Sequence, residues 1–377
     1  MRVLGLKAQS VPWVELGEFP TPITELPGDA TMPGGVGFVK RDDLSSNVYG
    51  GNKVRTLELL FGDALARQSK VVFATGAYGS NHAVATALHA QRVGLSARAL
   101  LFPQPISWAA LENLRVTLEV SDQLYALPHF GFLPFSMLRH ARRRDLGGVT
   151  LMAPGGATPR GALGYVSAAL ELAEQIEAGV LPPPRRIVVG IGSTCTTAGL
   201  LVGLDLARRL GIGFRNAEPE LVAVRVTPWP VTSRFRILGL AERTARVVAA
   251  LAGDQALAVS GRRLGERLSI ESRYLGHGYG RETAAGRIAM ERWALYGLPP
   301  LDTTYSAKAA AAFLEQAASS KFPTLFWSTK SSAPLPPVSA RAANQAPERV
   351  KRWIAKAERT LGVDLPVGYQ RFSSLSL

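Results

Sequence analysis

The alternation of short apolar runs with helical stretches constrains the fold of this chain more than any other feature. Residues 70–75, 97–102, 187–191, 221–226 and 323–327 are runs of five or six mostly apolar residues bounded by turn-forming sequence. The first is followed by a Gly-rich turn and a helical stretch over 82–93, and the third by a polar turn and an apolar helix. Continuous apolar runs predict strands covered on both faces, and helices between them predict crossovers linking parallel neighbours. The expected class is α/β, with parallel sheets covered by helices. A chain of 377 residues has room for two domains and a substantial core.

Two helices are legible from their spacing. Val54, Leu57, Leu60, Phe61, Ala64 and Leu65 form an apolar stripe, with Arg55, Glu58 and Asp63 off it. Leu163, Val166, Leu170 and Ala173 do the same ahead of Pro182-Pro183-Pro184. Beyond Ser331 the character changes, and Ala333-Pro334-Leu335-Pro336-Pro337 reads as a linker. A basic helix over 347–361 and a loose end follow, expected either to cap the body or to touch a neighbouring subunit.

Composition excludes several classes. One cysteine, Cys195, cannot form an internal disulfide, which fits a reducing, cytoplasmic compartment. Residues 1–17 carry no sustained apolar stretch of the signal-peptide kind. The uncharged stretch 187–204 has a polar, turn-prone centre unsuited to a membrane span, so no membrane association is expected. The net charge of +14 comes from scattered arginines such as 142–144, 185–186, 208–209 and 262–263. No nucleic-acid signature accompanies them, and a solvated basic surface that attracts anionic metabolites is expected instead.

Three turns have the residues for chemistry. Lys40-Arg41-Asp42-Asp43-Leu44 precedes Gly50-Gly51-Asn52-Lys53, where glycines let backbone approach a ligand and a helix directs the lysine. Gly76-Ala77-Tyr78-Gly79-Ser80-Asn81-His82 brings a hydroxyl and an amide to a helix start, which equally describes a simple N-cap. Gly190-Ile191-Gly192-Ser193-Thr194-Cys195-Thr196-Thr197 is a strand–loop–helix turn rich in hydroxyls, able to cradle a phosphate. It has neither the P-loop ending nor the dinucleotide glycine spacing. His89, His129, His277 and Glu282 show no metal-ligand spacing, and no metal is expected.

In this order the turns resemble the fold-type II pyridoxal-phosphate enzymes, and among them the D-cysteine desulfhydrase and 1-aminocyclopropane-1-carboxylate (ACC) deaminase family. The resemblance runs over about residues 19–330. It takes in Phe19-Pro20-Thr21-Pro22, Pro154-Gly155-Gly156, Gly161-Ala162-Leu163-Gly164-Tyr165, His277-Gly278-Tyr279-Gly280, Leu301-Asp302-Thr303-Thr304-Tyr305-Ser306-Ala307-Lys308 and Phe326-Trp327-Ser328-Thr329.

It implies a two-domain fold of the tryptophan synthase β type. Residues 1–46 and 161–332 would form the larger, cofactor-binding domain, 47–160 the smaller domain, and 333–377 the linker and tail. The implied cofactor is pyridoxal 5'-phosphate, and the implied assembly is a homodimer. Lys53 matches the lysine that bonds the cofactor and moves the α-proton. Ser80 matches a proton-handling serine, and Tyr279 and Tyr305 match the two active-site tyrosines. Asn81 matches the amide on the cofactor's phenolic oxygen, and Thr329 the hydroxyl near its pyridine nitrogen. Ser193, Thr194, Cys195 and Thr196 match the phosphate loop, with Cys195 read as a packing side chain and the helix expected from near Thr197. His82 is read as structural.

The chain departs from the family pattern at four places. Gly79 stands for glutamine, Thr194 and Cys195 for glycines, and Ser328-Thr329-Lys330-Ser331 for His-Thr-Gly-Gly. Ser306 stands where ACC deaminases have glutamate and desulfhydrases a hydroxyl residue. The implied reaction is α,β-elimination from a small amino acid, foremost D-cysteine to pyruvate, ammonia and sulfide. ACC deamination, another pyridoxal-phosphate reaction of specialised metabolism, and a non-catalytic cofactor- or ligand-binding role are the alternatives.

Overall fold

The computed structural model describes residues 11–28, 36–215 and 218–362. Positions 1–10, read above for a leader, and 363–377, the loose end of the tail, lie outside the described residues. In chain order the first elements are β1 (Ile23–Leu26), β2 (Gly37–Lys40), α1 (Asn52–Ala66), β3 (Val71–Ala77), α2 (Asn81–Ala90), β4 (Ser96–Phe102), α3 (Trp108–Val120) and β5 (Gln123–Ala126). Next come α4 (Leu133–Ala141), β6 (Val149–Leu151), α5 (Pro159–Glu177), β7 (Arg186–Ile191), α6 (Cys195–Arg209), β8 (Glu220–Arg225) and α7 (Arg234–Ala252). The last are α8 (Gly261–Gly265), β9 (Leu268–Glu271), α9 (Ala284–Leu295), α10 (Ser306–Ala318), β10 (Thr324–Trp327), α11 (Ala340–Gln345) and α12 (Glu348–Leu361).

The strands form two sheets. One has the order β1-β2-β10-β7-β8-β9, the other β5-β4-β3-β6. All pairings are parallel except the edge pair β1–β2, which is antiparallel. The five strands predicted from apolar runs are β3, β4, β7, β8 and β10, displaced at their ends by no more than two residues.

Helices cover both faces of the larger sheet, as its continuous apolar strands require. Ile187, Val189 and Ile191 join Leu163 of α5, Leu200 of α6 and Ile237 of α7 in one core. Val188 and Phe326 face the other way, onto Trp293 of α9 and Phe313 of α10. In the smaller sheet Val72 and Ala97 pack with Val54 and Leu57 of α1 and Val84 of α2. Phe73 and Leu100 meet Leu133 of α4 on the opposite face. The tail helix α12 buries Val350 and Ile354 beside Leu111 and Leu114 of α3, and Trp353 lies edge-on to Tyr78 at 5.5 Å.

One helix departs from its expected face. Leu65, assigned to the buried stripe of α1, is 38% exposed, whereas Arg55 and Glu58, assigned off it, are buried. Neighbours surround α1 on more than one side, so its polar residues find partners inside. Arg55 binds Asp42 and Glu171, and Glu58 accepts from the Leu16 and Gly17 backbone and the Trp13 indole. Helix α6 also begins at Cys195, two residues ahead of the expected start near Thr197.

Candidate active site

The candidate residues gather where parallel strands end. Segment 76–81 leaves β3, 154–156 follows β6, 192–194 leaves β7 and 328–331 leaves β10. Carboxyl ends of parallel strands are where open α/β sheets leave a crevice for ligands.

Lys53 is the second residue of α1, and its approach is clamped from several sides. Gly51 has φ +84°, and a Cβ there would lie 2.4 Å from the Thr329 carbonyl oxygen, so the turn requires glycine. Gly50 N–H donates to Ser331 Oγ at 2.8 Å, Gly51 N–H to the Asp42 carbonyl at 2.7 Å, and Asn52 N–H to the Thr329 carbonyl at 3.0 Å. The Lys53 ammonium donates to the Gly155 carbonyl at 3.3 Å and is buried. Burial lowers its pKa and favours the neutral amine, against a smaller opposing influence from Cys195.

Helix α6 supplies the second part. Its N-cap, Thr194, has φ +75° and ψ −16°, and no side chain caps the first turn. The left-handed conformation of a β-branched residue is strained, at the position where the resembling family has glycine. Asn52 Nδ2 donates to Thr196 Oγ1 at 2.9 Å, and Ser193 Oγ donates to the Gly155 carbonyl at 3.4 Å. Thr197 Oγ1 is buried without a hydrogen-bond partner. Cys195 is buried with Sγ 3.3 Å from the Gly156 carbonyl, and burial pushes its thiol up. An uncapped helix start next to a free hydroxyl suits an anion.

At the third turn Ser80 is the N-cap of α2, accepting from Ala83 N–H at 3.3 Å. Asn81 Oδ1 accepts from Tyr49 Oη at 3.0 Å and from Asn113 Nδ2 at 2.7 Å. Gly79 has a steric reason: a Cβ there would fall 2.5 Å from Ala110 Cα of α3. Its N–H donates to Gln104 Oε1 at 2.9 Å. His82 is buried with both ring nitrogens unpartnered. Burial, then the neighbouring Lys53 charge, drives its pKa down to about 3, so it stays neutral and is no general base at ordinary pH.

The tyrosines meet. Tyr279 and Tyr305 hydroxyls lie 2.6 Å apart, with rings edge-to-face at 5.8 Å. Burial raises both phenols, Tyr279 to about 12 and Tyr305 further. Tyr305 also reaches the phosphate-loop turn, since a Cβ on Gly192 would lie 3.0 Å from its Cε1. Ser306 heads α10 with its hydroxyl donated back to Asp302 Oδ2 at 2.7 Å. Thr329 enters the site's framework through its carbonyl, as described for Asn52.

Spacing alone did not single out Tyr49, Asn52, Asn113, Asp302 or Ser331. Asn52 and Asp302 were visible inside the quoted motifs. Ser331 was visible there too, whereas Tyr49 and Asn113 work through partners far away in sequence, and no local pattern marks them. Among the described residues no group of three or more His, Cys, Asp or Glu is placed to hold a metal ion. No helix there is long and apolar enough to cross a membrane.

This chemistry fits pyridoxal phosphate. The unpartnered Thr197 hydroxyl and uncapped α6 suit its phosphate, and the buried Lys53 amine suits its aldehyde. The profile of the family described as "Pyridoxal-phosphate dependent enzyme" matches residues 14–324. The nocardicin C-9' epimerase of Nocardia uniformis subsp. tsuyamanensis is 38% identical over 238 residues, covering 62% of this chain and 68% of that protein. The D-cysteine desulfhydrase of Salmonella paratyphi A is 32% identical over 318 residues, covering 82% and 90%. A solved ACC deaminase homologue superposes with a TM-score of 0.71 at 29% identity, covering 87% of this chain and 94% of its own.

Proposed function

Because the chain belongs to the pyridoxal-phosphate-dependent enzymes, we propose that it eliminates the β-substituent of a small amino acid, D-cysteine foremost. Water is consumed, and the products are pyruvate, ammonia and sulfide. The observation that carries this choice is the Ser306 hydroxyl at the head of α10, bonded to Asp302, where ACC deaminases have a carboxylate. A hydroxyl provides no formal negative charge for a pyridinium, so the electron sink is weaker. Expelling sulfide needs less electronic help than opening a cyclopropane.

In this reading the site lies between a lobe of residues 47–160, built on the four-stranded sheet, and one of residues 1–46 with 161–332. Lys53 would carry the cofactor, and the backbone N–H groups and hydroxyls of 193–197 would hold its phosphate. Asn81, its oxygen already engaged by Tyr49 and Asn113, would offer its amide nitrogen to the phenolic oxygen, and Thr329 would serve the pyridine ring. Bound pyridoxal phosphate supplies the electron sink that acidifies the substrate's α-proton. Lys53 Nζ, kept toward its neutral form by burial, takes that proton. Ser80 Oγ shares in the proton transfer. The Tyr279–Tyr305 pair, two neutral phenols sharing a hydrogen bond, would donate a hydrogen bond to the departing hydrosulfide. A homodimeric, cytoplasmic enzyme accords with this reading.

A second reading is epimerisation at the α-carbon, favoured by the 38% identity to the epimerase. Both begin with the same proton removal. The test is incubation of the holoenzyme with D-cysteine, β-chloro-D-alanine and ACC in deuterium oxide. Pyruvate from the first two, well above any 2-oxobutanoate from ACC, is expected. Efficient ACC turnover without elimination contradicts the ordering, and α-deuteration with inversion to the L-amino acid but without pyruvate selects epimerisation.

A further inference from the structure

We propose that Lys330 binds the carboxylate of the amino-acid substrate. The proposal rests on the amino-acid reading above and adds to it a residue that the matched family positions do not include.

Lys330 is fixed close to the reacting lysine. It forms a backbone bridge with Gly51, two residues before Lys53, and lines one recess with Ser306, Ser328, Ser331 and the mutually paired Arg41 and Asp43. Its ammonium lies 5.3 Å from the centre of the Tyr49 ring, and Tyr49 in turn holds the Asn81 side chain. Through Tyr49 the lysine head is linked to the Ser80-Asn81 turn.

No carboxylate among the described residues neutralises this charge at close range. The hydrogen bond to the Ser331 carbonyl is long, at 3.4 Å. Asp302 and Glu112 act on Lys330 only from a distance. Asp302 is already committed: Oδ1 accepts from the Thr304 and Tyr305 N–H groups, and Oδ2 from Ser306 N–H and Oγ. Burial lowers the Lys330 pKa, yet Tyr49, which also hydrogen-bonds it, Asp302 and Glu112 together hold it above the ordinary lysine value, so the ammonium stays charged. A substrate carboxylate that reaches this ammonium gains a charge-assisted hydrogen bond. A lysine held in its charged form serves as an anchor and not as a base.

The test is calorimetric titration of the holoenzyme with D-lactate and D-lactamide, which match in shape and lack the amine that reacts with the cofactor. The wild type is expected to bind the acid at least about tenfold more tightly than the amide. Lys330→Met should bring that preference to within about twofold, while Lys330→Arg retains it, with cofactor absorbance intact in both. Undiminished preference for the acid in Lys330→Met overturns the proposal. If that variant fails to retain cofactor, Lys330→Gln makes the same comparison. No turnover is involved, so the result stands apart from the elimination assay. Loss of preference in a protein inert to D-cysteine keeps the anchor and discards the reaction.

Discussion

The Asp42 carboxylate gathers side chains from four separate stretches of the chain. It accepts from Thr21 Oγ1 at 2.9 Å, Arg55 Nε and Nη2 at 3.0 and 2.9 Å, Tyr165 Oη at 2.6 Å and Trp327 Nε1 at 2.8 Å. Its own carbonyl receives Gly51 N–H, so this buried node sets the turn that presents Lys53. Burial opposes the charge, but Arg55 above all outweighs it and brings the pKa from 3.8 down to about 2. A carboxyl depressed on folding contributes stability that is complete above its unfolded pKa and lost as pH falls through the folded one. The contribution should therefore disappear between about pH 4 and about pH 2. Asp42→Asn leaves Arg55 with Glu171 alone and should cost roughly 3 kcal/mol at pH 7. Urea unfolding across pH checks both points: the variant should be flatter than wild type in that acid window. Equal stability at pH 7 would count against the node.

At the scale of elements, close helix contacts fix the geometry between α1, α5 and α6. A Cβ on Gly164 of α5 would lie 2.1 Å from the Arg55 carbonyl oxygen of α1, and one on Gly199 of α6 would lie 2.3 Å from the Ala162 carbonyl of α5. Backbone faces backbone at both sites, so neither partner can yield by turning a side chain. Gly164→Ala should separate α1 from α5, cost about 2 kcal/mol and weaken cofactor retention by displacing Lys53. Thermal unfolding and equilibrium dialysis of the cofactor read the two effects. An unshifted midpoint with unaltered retention would show that the contact is slack. These contacts explain why α1 was only half legible. Periodicity found its apolar stripe, but an enclosing environment that also buries Arg55 and Glu58 leaves no periodic trace.

For the whole molecule, the sequence was legible where a buried strand carries a continuous apolar run. β3, β4, β7, β8 and β10 announced themselves, and with them the α/β class. β1, β2, β5, β6 and β9 have three or four residues each, broken by glycine or polar side chains, and show no apolar run. They form only because the sheets offer them an edge or a partner. The Gly-Gly-Asn-Lys and phosphate-loop turns were legible because each draws its residues from one stretch. Tyr49 and Asn113 were not, and Lys330 and Ser331 showed only as a departure from the family pattern, since tertiary folding alone brings their partners to them. The account turns on a single claim, that this crevice holds pyridoxal phosphate on Lys53. Borohydride reduction of the purified yellow protein followed by peptide mapping tests it most directly. The label should fall on the peptide containing Lys53 and vanish in Lys53→Ala. A label on Lys330, Lys308 or Lys40 would contradict the account.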